Sequence, residues 1–268
     1  MADEWKRVPL GEVYDTFGGI TKGRGAFDEG AALLDVKTIV HSPFVPAQLA
    51  ARVQATPAEL EKYSVRKGDI FLNRTSESAR QLGLSCVAAH DVPGAVFTGF
   101  AKRLRPKARC PLDSFYMAGY LRSSLAREQL AACVPAYTTR ASLDERRLRR
   151  IWVYYPPRAQ QKRIGSALWA IFEKLEHNRL LQQALAREVA MLEAGVHPQD
   201  AAAPPVRQMQ LGEPERARRA RLSGMLQEKQ MLAAAQTQAL EALWPALIER
   251  SITAAARAGV CAGQETHR

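Results

Sequence analysis

The chain has 268 residues, 47% of them hydrophobic, with 38 Lys and Arg against 27 Asp and Glu for a formal net charge of +11. That length and apolar content support a sizeable core and exclude wholesale disorder. No apolar run reaches the roughly 18 residues of a membrane span, and the opening MADEWKRVPL lacks the apolar stretch of a signal peptide. A cytoplasmic protein with no membrane partner is expected. The four cysteines, Cys86, Cys110, Cys133 and Cys261, are scattered without a CxxC pair, which fits incidental thiols in a reduced chain rather than zinc ligands.

Charge is unevenly spread. Residues 1–157 hold 23 basic and 16 acidic side chains, the larger share of the excess, and a polyanion is the partner this suggests. The plainer reading is a solvated basic surface.

Residues 1–157 change texture about every ten positions. Short strand-like runs (LLDV at 33–36, DIFL at 69–72, SCVAA at 85–89, VFTGFAKRL at 96–104, IWVYY at 151–155) alternate with loops rich in Gly, Pro, Ser and Thr. The spacing of Phe115, Met117, Ala118, Leu121, Leu125 and Leu130 predicts one amphipathic helix over 113–132. Ser142-Leu-Asp-Glu145 reads as a capping box that starts a shorter helix. The fold class expected is α+β, with a globular mixed α/β domain over 1–157.

After Pro156-Pro157 the texture becomes helical. Ile164, Leu168, Ile171, Leu175, Asn178, Gln182, Leu185, Val189 and Leu192 alternate in steps of four and three, the seam of a coiled coil; the plainer reading is an amphipathic helix packed flat on its own domain. Asn178 and Gln182 are polar seam positions of the kind that fix register. At 1.5 Å per residue, this element (158–195) is roughly 50 Å long. Prolines make 196–212 a linker. A second helix is expected over 213–257, with Leu222, Met225, Leu232, Ala239, Leu243 and Leu247 as its apolar face, Pro245 kinking or restarting it, and a flexible tail over 258–268. The arginine run Arg216, Arg218, Arg219 and Arg221 reads as solvated. The two helices bury their stripes either as an antiparallel coiled coil within one chain or as an antiparallel dimer.

Catalytic chemistry is not visible. The sequence has no GxxxxGK[ST] and no HExxH, and its five histidines lack metal spacing. GGITKGRG (18–25) is glycine-rich without being a dinucleotide fingerprint. No catalytic residue, metal site or cofactor is assigned.

Binding chemistry is visible. VRKGDIFLNRTSE (65–77) delivers Asn73, Arg74, Thr75 and Ser76 to a polar tip, with Arg80 beyond. YTTRAS (137–142) supplies a second tip with Thr138, Thr139 and Arg140, and Lys22 and Arg24 supply a third. Lys102, Arg103 and Arg105 belong to the basic run KRLRPKAR. Asn pairs bidentately with adenine and Arg with guanine, while hydroxyls and Lys meet phosphates. Each segment alone is an ordinary loop; three arginine-bearing loops on one basic domain point to DNA.

Four segments, WKRVPLGEV (5–13), VRKGDIFLNRT (65–75), TRASL (139–143) and above all VYYPPRAQQKRIGSAL (153–168), resemble the specificity (S) subunit of type I restriction–modification systems. The resemblance covers residues 5 to about 193, and LEALWPALIER (240–250) is similar to the leucine-rich end of that family's C-terminal helix. It implies a target-recognition domain, uncoupled by the prolines from a helical spacer, that is not an enzyme. The implied partners are double-stranded DNA, methyltransferase (M) subunits and restriction (R) subunits, with S-adenosylmethionine, ATP and Mg confined to the partners. The family's usual subunit has two recognition domains; this chain has one, which implies a half-size subunit, active as a homodimer. Two other classes remain open: a nuclease or methyltransferase carrying its own reader, and a coiled-coil scaffold that binds DNA without sequence preference.

Overall fold

The computed structural model describes residues 5–76, 81–134, 141–193, 213–253 and 256. Its elements run β1 (Lys6–Pro9), α1 (Leu10–Val13), β2 (Tyr14–Gly18), β3 (Phe27–Leu34), α2 (Val36–His41), β4 (Arg52–Val53), α3 (Pro57–Lys62), β5 (Ser64–Val65), β6 (Ile70–Asn73), β7 (Thr75–Ser76) and β8 (Ser85–Val87). There follow β9 (Val92–Phe97), β10 (Ala101–Pro106), α4 (Ser114–Tyr120), α5 (Ser124–Ala131), β11 (Ala141–Ser142), α6 (Glu145–Arg150), β12 (Trp152–Tyr155), α7 (Arg158–Glu193) and α8 (Glu213–Ile248). The mixed sheet domain followed by long helices is the expected α+β class.

Two compact units emerge. The first takes the chain through Trp169 and again from Pro245, and the second is Ala170–Trp244. Inside the first, two four-stranded sheets have the orders β2-β10-β6-β8 and β4-β3-β9-β5, and β1 pairs with β12. All these pairings are antiparallel except that of β3 with β9. Leu34, Val65, Phe71, Cys86, Phe97 and Ala101 close one core cluster, contributed by strands of both sheets. Burying a ring such as Phe71 contributes about 1.5–3 kcal/mol.

Local chemistry explains where the elements differ from expectation. The run 96–104 is two strands, because Thr98-Gly99-Phe100 turns the chain between β9 and β10. The helix expected over 113–132 is broken at 121–123, where Ser123 caps α5 by accepting from Ala126 N. Asp144, not Ser142, caps α6: its carboxylate accepts from Arg147 N at 2.8 Å, while Glu145 is engaged elsewhere. A complete capping box does occur, at Thr56 and Glu59 on α3, with Pro57 in the first turn.

The prolines at 156 and 157 do not uncouple the first turns of the long helix from the sheets. Gln161, 1% exposed, donates from Nε2 to the carbonyls of Pro156 and Pro111 and accepts Asp113 N at 2.8 Å. Gly165 lets α7 approach α4 so closely that a Cβ there would lie 2.8 Å from Phe115 Cβ and Tyr116 N. Trp169 meets Phe44 edge-on at 4.9 Å and Phe115 at 5.2 Å. The first three turns of α7 thus belong to the sheet unit, and the boundary expected at residue 157 falls instead near Trp169. The end of α8 returns to the same unit, with Ile248 and Ile252 buried beside Gly119. α8 runs through Pro245 without restarting.

In the second unit, Leu185, Asn178 and Phe172 are buried, and Ile171, Leu175, Gln182 and Val189 are half-buried. Ile164 and Leu168 are buried in the first unit, while the Leu192 side chain lies outside the described residues. Gln182 Nε2 donates to Thr237 Oγ1 at 3.2 Å, so α8 of the same chain meets the seam. The face of α8 is displaced by one residue from the one expected. Ser223, Leu226, Gln230, Ala233, Thr237, Leu240 and Trp244 are the covered positions, whereas Leu222, Met225, Leu232, Ala239 and Leu243 are exposed; Leu247 alone of the expected set is half-buried. That register brings Thr237 to the Gln182 amide, whereas the buried Asn178 Nδ2 finds no partner among the described residues. Of the arginine run, Arg221 is exposed and the other three side chains lie outside the described residues.

Candidate nucleic-acid interface

Backbone pairing brings the candidate loops to one edge. β6 ends at Asn73, and beyond Arg74 the strand β7 pairs with β11, Thr75 opposite Ser142 and Ser76 opposite Ala141. Leu143 N donates to the Arg74 carbonyl at 2.9 Å, and Arg74 N donates to the Phe100 carbonyl at 3.0 Å. One link further, Gly99 N donates to the Ile20 carbonyl at 2.7 Å. The 20–25 loop, the 98–100 turn, the 73–76 tip and the 141–143 segment are therefore successive neighbours.

Several expected contacts are exposed there and several are not. Arg24 is exposed, and Arg74, Thr75 and Ser76 are half-buried. Lys22 is anchored to the Glu59 carboxylate at 2.8 Å, which holds Glu59 down at about 2. Arg80, Thr138, Thr139 and Arg140 lie outside the described residues.

Four others are corrected, because the fold itself uses their polar groups. Asn73 is fully buried and donates to the Gln81 carbonyl at 3.0 Å, closing its own loop. Lys102 is bonded to Glu145, which also accepts from Thr16 Oγ1 at 2.7 Å, and the Lys102 bond is the main reason that the Glu145 carboxyl lies below its usual range. Arg103, 7% exposed, donates to the Ser64 carbonyl at 2.9 Å and lies against the rings of Phe17 and Phe97; burial lowers its pKa. Arg105 clasps the buried Asp69 through two bonds of 2.8 and 2.7 Å, which raises the pKa of Arg105. Strand alternation puts Arg103 and Arg105 on the face of β10 that meets β5, where both donate to Ser64.

Two features escaped the sequence reading. Phe100, 54% exposed, projects from the turn between β9 and β10; reading 96–104 as one strand hid it, although Thr98-Gly99 signals a turn. Arg146, Arg147, Arg149 and Arg150 of α6 are all exposed directly after the 141–143 segment. An exposed ring and exposed arginines are the groups that stacking and phosphate contacts of nucleic-acid sites use. Among the described residues no cluster of three or more His, Cys, Asp or Glu could hold a metal ion. Nor is any helix there long and apolar enough to cross a membrane.

No protein-family model matches the chain, and no curated protein does. Solved structures match. The S subunit of the type I restriction–modification system from M. genitalium superposes with a TM-score of 0.54 at 13% identity, over 75% of this chain and 48% of that one. A chain from a structural study of assembly and conformational transition of the type I R-M system gives 0.46 at 15% identity, over 94% of this chain and 46% of that one. The HsdS subunit from Thermoanaerobacter tengcongensis gives 0.43 at 15%, over 94% and 45%. The chain spans about half the length of the solved S subunits it matches. At this identity the likeness is one of fold: over three quarters of its length the chain has a fold similar to that of the M. genitalium S subunit.

Proposed function

We propose that this chain is a non-catalytic DNA-reading subunit that directs a type I restriction–modification complex to its target, as part of phage defence in the cytoplasm. The observation that carries the reading is the single edge on which Arg74, Thr75, Ser76 and Phe100 lie, with Ile20 at the start of the loop that carries Arg24 beside it, in a fold similar to that of an S subunit. Arg74 and the two hydroxyls read base edges; Arg24 and the α6 arginines meet phosphates. Methyl transfer from S-adenosylmethionine and ATP- and Mg-dependent cleavage fall to M and R subunits.

A second copy is the proposed source of a second reader for a two-part target, related by two-fold symmetry. The exposed stripe Leu222, Met225, Leu232 and Leu243 is the face left over for helices of partners, since the chain's own α7 takes the adjacent one. Mapping methylated bases in cells with and without the gene tests the function. A motif that disappears with the gene supports it; an unchanged methylation map overturns it.

A further inference from the structure

The first unit has a cavity that the DNA-reading edge does not use. It measures about 380 Å³ and lies between the first turns of α7 and the end of α8. Its apolar wall is Ile164, Ala167 and Leu247. Arg163 and Arg250 line it from the two sides, both exposed, and neither is paired with a carboxylate among the described residues. Gln160 also lines it; its Oε1 is buried and accepts no hydrogen bond among the described residues. A buried acceptor left unmade is costly, so a donor from outside is favoured there.

These groups define a ligand. Two guanidinium groups call for an anion. The aliphatic wall calls for an apolar group beside that anion, and Gln160 Oε1 calls for an N–H. A phosphodiester offers neither the apolar group nor the N–H. An internal Asp or Glu puts its charge and an apolar neighbour on separate residues. A chain's last residue carries carboxylate, side chain and N–H on one Cα. We propose that this cavity receives the apolar C-terminal residue of a partner protein, its carboxylate between Arg163 and Arg250, its side chain against Ile164, Ala167 and Leu247, and its N–H on Gln160 Oε1.

The test uses the full chain and fluorescein-labelled hexapeptides ending in Ala, Val, Leu, Ile or Phe, each as free acid and as amide, read by fluorescence anisotropy. At least one branched or aromatic acid binds and its amide binds about tenfold more weakly. Arg163→Gln with Arg250→Gln abolishes that preference while the melting temperature and DNA binding stay unchanged. Competition by a random duplex should not displace the peptide. No binding by any acid, equal binding of acid and amide, a preference that survives the double substitution, or displacement by DNA overturns the proposal. Because DNA binding is read separately, failure here leaves the specificity-subunit reading standing, and the reverse also holds.

Discussion

Leu143 and Arg74, 69 positions apart in the chain, are joined by a 2.9 Å hydrogen bond from the amide of the first to the carbonyl of the second. That bond, with the β7–β11 pairing beside it, joins the 73–76 tip to the 141–143 segment. The backbone of Arg74 is fixed from both sides, by Leu143 and by Phe100.

Arg74→Ala is expected to lower sequence preference by about 1–3 kcal/mol, with a smaller loss on random duplex. Competition binding on specific and random DNA checks it. Equal losses would reassign Arg74 to a phosphate.

Arg105→Ala is expected to act on stability, not on DNA. It leaves Asp69, 1% exposed, without its charge partner, a loss of about 3–5 kcal/mol for a buried pair broken on one side. Urea unfolding measures it. A stable variant with weakened DNA binding would return Arg105 to the interface.

Gly165→Ala drives a methyl against Phe115 and the backbone of Tyr116, and overpacking of this kind costs about 1–3 kcal/mol. Gln161→Ala strands the Asp113 amide and the Pro156 carbonyl at a similar cost. Thermal unfolding is expected to show each lowering the melting temperature of the whole sheet unit. If only the distal helices loosened, the prolines would be an uncoupling joint after all.

The Lys22–Glu59 contact should respond to acid. The folded carboxyl is held at about 2, below its ordinary value of 4.5, so its contribution is complete above the ordinary value. It is lost as pH falls from there toward 2. An NMR titration of Glu59 should show a midpoint near 2 that returns toward 4.5 in Lys22→Met.

Light scattering of the free chain is expected at twice 29.6 kDa, and Leu222→Asp with Leu232→Asp should halve it without disturbing the sheet unit. A wild-type monomer, both alone and bound to a methyltransferase, would contradict the homodimer.

The α7 seam was legible because heptad spacing is a property of the sequence alone. The α8 face was not, because its register depends on what it meets on another helix: Gln182 bonds Thr237, and the leucines one position away are exposed. The same division holds at the site. A basic run such as KRLRPKAR records charge but not which way each side chain faces, and three of its cations are tied to Glu145, Asp69 and the Ser64 carbonyl. Pro-Pro reads as a break until Gln161 is seen tying the helix start to residues 111–113.

Selection of bound duplexes from a randomised pool, with wild-type chain and with Arg74→Ala and Phe100→Ala variants, tests the central claim most directly. The wild type is expected to enrich one motif, and each variant to lose or relax it at particular positions. A pool that stays random under the wild-type chain, or one whose motif survives both substitutions unchanged, contradicts a DNA reader built on this edge.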